Sequence, residues 1–376
     1  MKVNNTDMGF YEIYKQYQKL DFHEMFINVS EADVKQVLSM DHIDLNSFVS
    51  LISPQAEKFI EGMAQKAQQV TLQNFGKTIQ LYTPIYLSDH CDNKCIYCGF
   101  NKENDISRNK LSLEDVEREA KIIAETGLKH VLVLVGDSRE YSPLSYIKEC
   151  VCVMKKYFDS VSVEIYALEE DEYRQLVDIG VDGVTLYQEV YDQKKYDELH
   201  LSGPKKDYMF RLDAPERAAK AKMRTVNIGA LLGLHDVRKE IFFAAVHADY
   251  LQNKFPEVEV SISVPRLTEH KGSFEASEIV TDKNIVQIIL ALRLFLPRVG
   301  ITVSTREDAK FRENLLGLGV TKMSAGSTTA VGGRGSCQDE EKTLQFEFLD
   351  KRSVADMVEM LKTKGYQPVL KDWMKV

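Results

Sequence analysis

Cys91, Cys95 and Cys98 stand in the run His90-Cys91-Asp92-Asn93-Lys94-Cys95-Ile96-Tyr97-Cys98-Gly99-Phe100, a C-x3-C-x2-C pattern with an aromatic just before the last thiol. Three thiolates on one short loop can hold three corners of a cubane [4Fe-4S] cluster and leave the fourth iron without a protein ligand. A protein that only relays electrons ordinarily ligates every iron, so an open iron implies that something else binds there. The competing reading is structural zinc, which closes with four ligands, usually in paired knuckles. His90 abuts Cys91 and is poorly placed as a fourth ligand, and no second knuckle follows. The remaining thiols do not join the triad. Cys150 and Cys152 lie in the apolar stretch Tyr146–Met154; on a helix they point about 200° apart and cannot share a metal, so both read as buried structural thiols. Cys337 sits alone in a glycine-rich loop and reads as a bystander.

Other residues suit the binding of a charged ligand. Gly136 permits close backbone approach, and Asp137 beside it offers an acceptor for an ammonium group. Glu164 interrupts Val161-Ser162-Val163-Glu164-Ile165, and a carboxylate aimed into an apolar interior must be paired or functional. Arg211 can grip a carboxylate through two parallel bonds, or else be a surface cation near Asp213. Arg306, beside Ser304 and Thr305, makes a socket for an amino-acid carboxylate; the alternative is a helix-start residue pairing with Glu307 or Asp308. The glycines at 326, 332, 333 and 335 form a lid or plain irregular chain. They are no phosphate loop, because no Gly-Lys-Ser/Thr follows.

These residues need a frame. Residues 1–76 read as a helical extension, with Ser53-Pro54 as a helix start and Gly76 as a stop. From 77 to 327 the chain alternates, with strand-like runs at Ile79–Leu87, His130–Val135, Val161–Tyr166, Gly183–Gln188, Thr225–Leu231, Val258–Val264, Gly300–Ser304 and Val320–Met323. Helical stretches separate most of them. Ser112 caps one, Thr281 begins another, and Gly127 and Gly180 end two. Repeated β-then-α units favour an α/β class, a closed (β/α)8 TIM-type barrel, whose chemistry belongs at the strands' C-terminal ends. No G-x-G-x-x-G follows an early strand to support an open sheet. Residues 328–376 add a loop, a helix from Ser353 and a tail. The cysteine run, Asp137, Glu164, Glu189, Arg266, Ser304, Arg306 and Ser327 all fall on one rim.

With 376 residues, 44% of them hydrophobic, the chain can bury a large core. Its net charge of -9 without a basic block argues against nucleic-acid binding. No apolar run approaches the roughly 20 residues of a membrane span. Asp7, Glu12 and Lys15 interrupt any signal-peptide pattern, so a cytoplasmic location is expected.

The triad with Tyr97, placed after the first strand, resembles the radical S-adenosylmethionine superfamily. Tyr97-Cys98-Gly99-Phe100, Val163-Glu164-Ile165-Tyr166, Ser304-Thr305-Arg306-Glu307, Ser324-Ala325-Gly326-Ser327 and the tail from Tyr366 to Trp373 are similar to the 2-iminoacetate synthases, the tyrosine lyases of thiamine biosynthesis. That resemblance implies one [4Fe-4S] cluster on Cys91, Cys95 and Cys98, and S-adenosyl-L-methionine as cosubstrate. It implies cleavage of L-tyrosine at Cα–Cβ to 2-iminoacetate and p-cresol. It also implies an electron donor, and thiazole synthase as the partner that receives the product. By the same resemblance Ser304 and Arg306 hold the tyrosine carboxylate. Tyr97, Gly136, Asp137, Glu164 and Arg211 serve the cofactor, although Asp137 stands where a glutamate is expected. Two rivals are weighed. The tyrosine lyase of hydrogenase maturation needs further C-terminal cysteines, and the sequence after Cys337 carries no C-x2-C. A non-enzymatic iron–sulfur protein sits poorly with an open iron.

Overall fold

Strands covered on both faces need near-continuous apolar runs, and His-Val-Leu-Val-Leu-Val at 130–135 is one. The computed structural model describes residues 8–268, 274–335, 345 and 348–372. Its strands are β1 (Thr78–Ser88), β2 (His130–Val135), β3 (Ser160–Glu164), β4 (Gly183–Glu189), β5 (Thr225–Ala230), β6 (Glu259–Ser263), β7 (Gly300–Val303) and β8 (Lys322–Ser324). Each lies in a region where the sequence places a strand. Each pairs in parallel with the next, and β1 pairs with both β2 and β8, which closes the (β/α)8 barrel. A further strand, β9 (Gln367–Val369), was read from sequence only as tail. It runs parallel to β1 at Thr78–Gln80, along the stretch of edge that β2 does not reach.

The outer helices follow their caps. Ser112 accepts from Asp115 N at the start of Leu113–Glu125, and Thr281 and Ser353 form full capping boxes. Gly127 and Gly180 adopt positive φ of 89° and 95° just after helices, a conformation that costs glycine nothing. The N-terminal helices pack onto the barrel's outer helices through aromatic contacts. Phe48 stacks on Phe295 at 4.8 Å between ring centres, and Phe22 meets Phe242 at 5.1 Å. One apolar core therefore runs from Phe10 to Leu361.

The helix Leu144–Met154 corrects one expectation. Cys150 is buried, but Cys152 is exposed. The same geometry that separates i from i+2 puts the second thiol on the solvent face. Cys337 lies outside the described residues.

Candidate active site

The cysteine loop leaves the C-terminal end of β1 and is held from two sides. On the β2 side, Gly136 N donates to Ser88 O at 2.7 Å and Asp92 N to Asp137 O at 2.9 Å. A Cβ on Gly136 would stand 2.2 Å from the His90 carbonyl oxygen, so the glycine's first duty is to let the two backbones touch. On the other side the segment after β4 acts as a docking edge. Lys94 N donates to Ser202 O at 2.9 Å, and Ile96 N to Leu199 O at 3.1 Å. Side chains complete the clamp. Tyr97 OH meets His200 Nε2 at 2.7 Å, while His200 Nδ1 faces the Tyr196 carbonyl at 2.8 Å. Nδ1 must be the donor there, so Nε2 accepts from the phenol. Burial holds this imidazole neutral, its pKa pushed down to about 2. Asn93 is 1% exposed and has every arm occupied. Its Nδ2 donates to Asp137 Oδ2 at 2.7 Å, and its Oδ1 accepts from Lys205 N at 2.8 Å.

Above the strands' C-terminal ends lies a chamber of about 930 Å³, part of it open to solvent. Tyr86, Leu134, Leu231 and Pro265 supply apolar wall, and Cys98, Glu164, Glu189, Lys205, Ser304 and Arg306 supply the polar points. Burial, then the neighbouring Glu189, pushes the Glu164 carboxyl up to about 7, against the pull of Arg306 and Lys205. Glu189 closes β4 at a bulge with φ of 69°, left-handed for a residue with a side chain. Such a backbone costs on the order of 1–3 kcal/mol and marks a constrained site. Its Oε1 accepts from Lys205 Nζ at 2.6 Å and lies 3.8 Å from Arg211 Nη2.

The neighbours of Arg306 have partners of their own. Glu307 pairs with Arg266, and Asp308 caps the helix Ala309–Asn314. Arg306 instead lines the chamber with Ser304, its Nη1 3.5 Å from Thr268 Oγ1. Gly136, Asp137 and Arg211 are not on that wall. Arg211 is 8% exposed and donates from Nε to the Tyr187 carbonyl at 2.8 Å, so it is no surface cation. Asp137 is half-buried, and its covered Oδ1 has no hydrogen-bond partner among the described residues.

Residues 85–244 match the family model for the radical SAM superfamily, and residues 263–367 match that for the biotin and thiamin synthesis associated domain. The 2-iminoacetate synthase of Salmonella typhimurium is 34% identical over 95% of this chain and 96% of its own length, and that of Escherichia coli matches equally well. The chain belongs to the 2-iminoacetate synthase family. Among solved structures, the FeFe-hydrogenase maturase HydG from Carboxydothermus hydrogenoformans is similar at 33% identity, with a TM-score of 0.88 over 96% of this chain and 85% of that one. Methylornithine synthase, at 20% identity and a TM-score of 0.71, shares the fold.

Membership in the 2-iminoacetate synthase family implies a cluster and S-adenosylmethionine, and the residues fit both. Burial pushes the Cys91 thiol up to about 11 and Cys95 further, and each also feels the charge of the neighbouring thiols. Buried, mutually repelling thiolates are stabilised when a metal takes their charge. Among the described residues no three His, Cys, Asp or Glu side chains converge on a single-ion site. Cys91, Cys95 and Cys98 are successive thiols of one loop, and a cubane takes a thiolate at each of several irons. The unpartnered Asp137 Oδ1 is an acceptor waiting for a donor, as an amino group would be. Asn93 and Lys205 escaped the sequence reading. Asn93 was visible inside the cysteine motif, but its partners lie far along the chain. Lys205 belongs to a loop whose place is set only by docking.

Proposed function

We propose that this chain is a 2-iminoacetate synthase, a radical S-adenosylmethionine lyase that cleaves the Cα–Cβ bond of L-tyrosine to 2-iminoacetate and p-cresol. The observation that supports it best is that one chamber is walled both by Cys98 of the thiol loop and by Ser304 and Arg306. When bound, the [4Fe-4S] cluster and S-adenosylmethionine supply a carbon-centred radical that takes a hydrogen atom from substrate, leaving methionine and 5'-deoxyadenosine.

The chain's own residues bind, orient and exclude water. Cys91, Cys95 and Cys98 hold the cluster. Tyr97, fixed by His200, and Gly136 shape the ground on which the cofactor lies. Asp137 Oδ1 accepts from the cofactor's ammonium, and Glu164 faces its methionine part. Arg306 and Ser304 fix the tyrosine carboxylate, so that the substrate's amino end has one orientation in the chamber. The apolar walls take the ring and keep water from the reacting atoms. 2-Iminoacetate hydrolyses readily, which favours direct hand-over to thiazole synthase as a physical partner. A low-potential electron donor completes the set.

Anaerobic turnover of reduced, reconstituted protein with tyrosine should give p-cresol, 5'-deoxyadenosine, and glyoxylate from hydrolysed 2-iminoacetate. If no 5'-deoxyadenosine forms, the enzyme reading is wrong. The similarity to the hydrogenase maturase HydG supports a second reading, in which the same first cleavage feeds further chemistry at another cluster. Iron content separates the two: about four irons per chain fits a single cubane, and about eight or nine fits the second reading.

A further inference from the structure

We propose that Gln345 donates an amide N–H to the Cys98 thiolate and thereby raises the reduction potential of the cluster, with Tyr86 keeping the amide turned that way. The inference rests on the cluster held by the three thiols, not on which molecule the enzyme cleaves. Of those thiols Cys98 lies on the chamber wall, and Tyr86 and Gln345 share that wall with it. Gln345 comes from 247 residues further along the chain and sets Nε2 3.9 Å from Cys98 Sγ, a separation that suits sulfur, a larger acceptor than oxygen.

An amide has a donor end and an acceptor end, and the end that faces the sulfur decides the sign of its effect. Tyr86 settles the choice. Its phenol donates to Gln345 Oε1 at 2.8 Å. Burial, then the Glu164 carboxylate, pushes that phenol well above its ordinary pKa, so it keeps its proton and remains a donor. The ring is itself fixed: it is buried and meets Phe100 edge-on, 6.1 Å between ring centres. With Oε1 taken by the phenol, Nε2 is the end left for Cys98. The reversed amide would set a carbonyl oxygen against a thiolate, two negative groups at short range. The chain just beyond is anchored as well. Leu349 N and Asp350 N donate to Thr305 O at 3.1 and 3.3 Å.

A similar contact occurs within the cysteine motif, where Asn93 Nδ2 stands 3.8 Å from Cys91 Sγ. Asn93 also bonds Asp137 and Lys205, so its removal would disturb the loop as a whole. Gln345 is the cleaner probe. Among the described residues its side chain bonds Tyr86 and Cys98. The step concerned is the one-electron reduction of the cubane by the external low-potential donor. No bond is made or broken, and Gln345 keeps its protons. The incoming electron adds negative charge to the ligand sulfurs, so an N–H aimed at one of them stabilises the reduced form more than the oxidised form.

The test is an anaerobic redox titration followed by electron paramagnetic resonance, without S-adenosylmethionine or tyrosine. Reconstituted wild type, Gln345→Met and Tyr86→Phe are first matched for iron content and cluster absorbance. Methionine keeps the length of glutamine and still covers the sulfur, but it has no N–H. At the wild-type midpoint, Gln345→Met should show a reduced-to-oxidised ratio at least about threefold lower, a shift of about 30 mV to more negative potential for one electron. Tyr86→Phe should shift the same way by less, because the amide is then free to turn. With the glutamine side-chain nitrogen isotopically labelled, double resonance should find a weak nitrogen coupling at the reduced wild-type cluster that Gln345→Met lacks. An unchanged or more positive potential in Gln345→Met, or a coupling that survives there, would overturn the assignment. A larger shift in Tyr86→Phe than in Gln345→Met would overturn the positioning role of the phenol. Gln345→Leu makes the same comparison should the methionine variant not assemble a cluster. A wild type that shows the Gln345-dependent shift yet never cleaves tyrosine would sink the lyase reading and leave this one standing.

Discussion

The two ends of the barrel are made by the same strands and treat polar groups in opposite ways. At the C-terminal end, Glu164 and Glu189 share a wall with Lys205 and Arg306, and Asp137 Oδ1 has no hydrogen-bond partner among the described residues. At the N-terminal end a second space of about 570 Å³ is lined by Gln80, His130, Ser162, Asn227, Thr302 and Lys322 among others. There the polar groups mostly answer one another. Ser160 Oγ bridges His130 Nδ1 at 2.7 Å and Asp182 Oδ1 at 2.9 Å, Lys322 Nζ meets His130 Nε2 at 3.2 Å, and Asn227 Nδ2 donates to Ser263 Oγ at 2.8 Å. Polarity in a barrel interior is thus no sign of a ligand site by itself. What separates the two ends is what lines them: carboxylates and cations around the upper chamber, and mostly amide, hydroxyl and imidazole groups around the lower one. Tyr82, Leu132 and Tyr187 border both spaces and separate the two regimes.

The contrast can be broken most severely at the loop above β1. Cys95→Ala should abolish cluster assembly and all S-adenosylmethionine cleavage, read by iron analysis and 5'-deoxyadenosine. Retained activity would mean that the site lies elsewhere. Arg306→Ala comes next. It should lower kcat/KM for tyrosine about a hundredfold or more while the cluster spectrum stays intact, because a carboxylate loses its charged partner. Loss of the cluster in that variant would show that Arg306 serves the loop instead.

A smaller effect tests whether burial and the neighbouring Glu189 strain the Glu164 carboxylate. Its folded pKa of about 7 lies above the ordinary 4.5, so its stabilising contribution is present below the unfolded value and lost as pH rises toward 7. Glu164→Gln should therefore make the cofactor-free protein about 1–3 kcal/mol more stable relative to wild type at pH 7.5 than at pH 5, by urea unfolding. Equal differences at both pH values would contradict the burial argument. The smallest effect belongs to the matched end. Lys322→Met should leave tyrosine KM within about twofold, since the matched end is not expected to touch substrate. A large rise in KM would mean that the lower space takes part in binding after all.

How much of this was legible beforehand follows from where each signal resides. The barrel was legible because the strands recur as short apolar or alternating runs set between helix caps and glycines, and the strand ends then carried Glu164, Ser304 and Arg306 to one rim. Arg306 could be read as a candidate from its place at a strand end beside Ser304 and Thr305, whereas the pairing of Glu307 with Arg266 and the capping by Asp308 appear only in the fold. Lys205, His200 and Asn93 could not be read, because their roles exist only once the segment after β4 lies against the cysteine loop. β9 was missed because Gln-Pro-Val is too short for a period, and its proline is tolerated only where a ladder bond is dispensable. Gly136 was read for ligand approach, while the structure gives it a nearer neighbour, the His90 carbonyl.

The pairing of β9 with β1 bears on how the protein is made. Synthesis delivers β1 early, yet Thr78–Gln80 acquires its neighbour only when Gln367–Val369 has emerged. Until then a length of strand that will carry the metal-binding loop at its far end keeps a bare edge, the kind of edge that recruits other chains. Closing so long a loop is slow, because the entropy is lost before the contact forms. The interval between the first strand and the last is therefore when a nascent chain is most exposed to aggregation, and a truncation just before Gln367 would make that interval permanent.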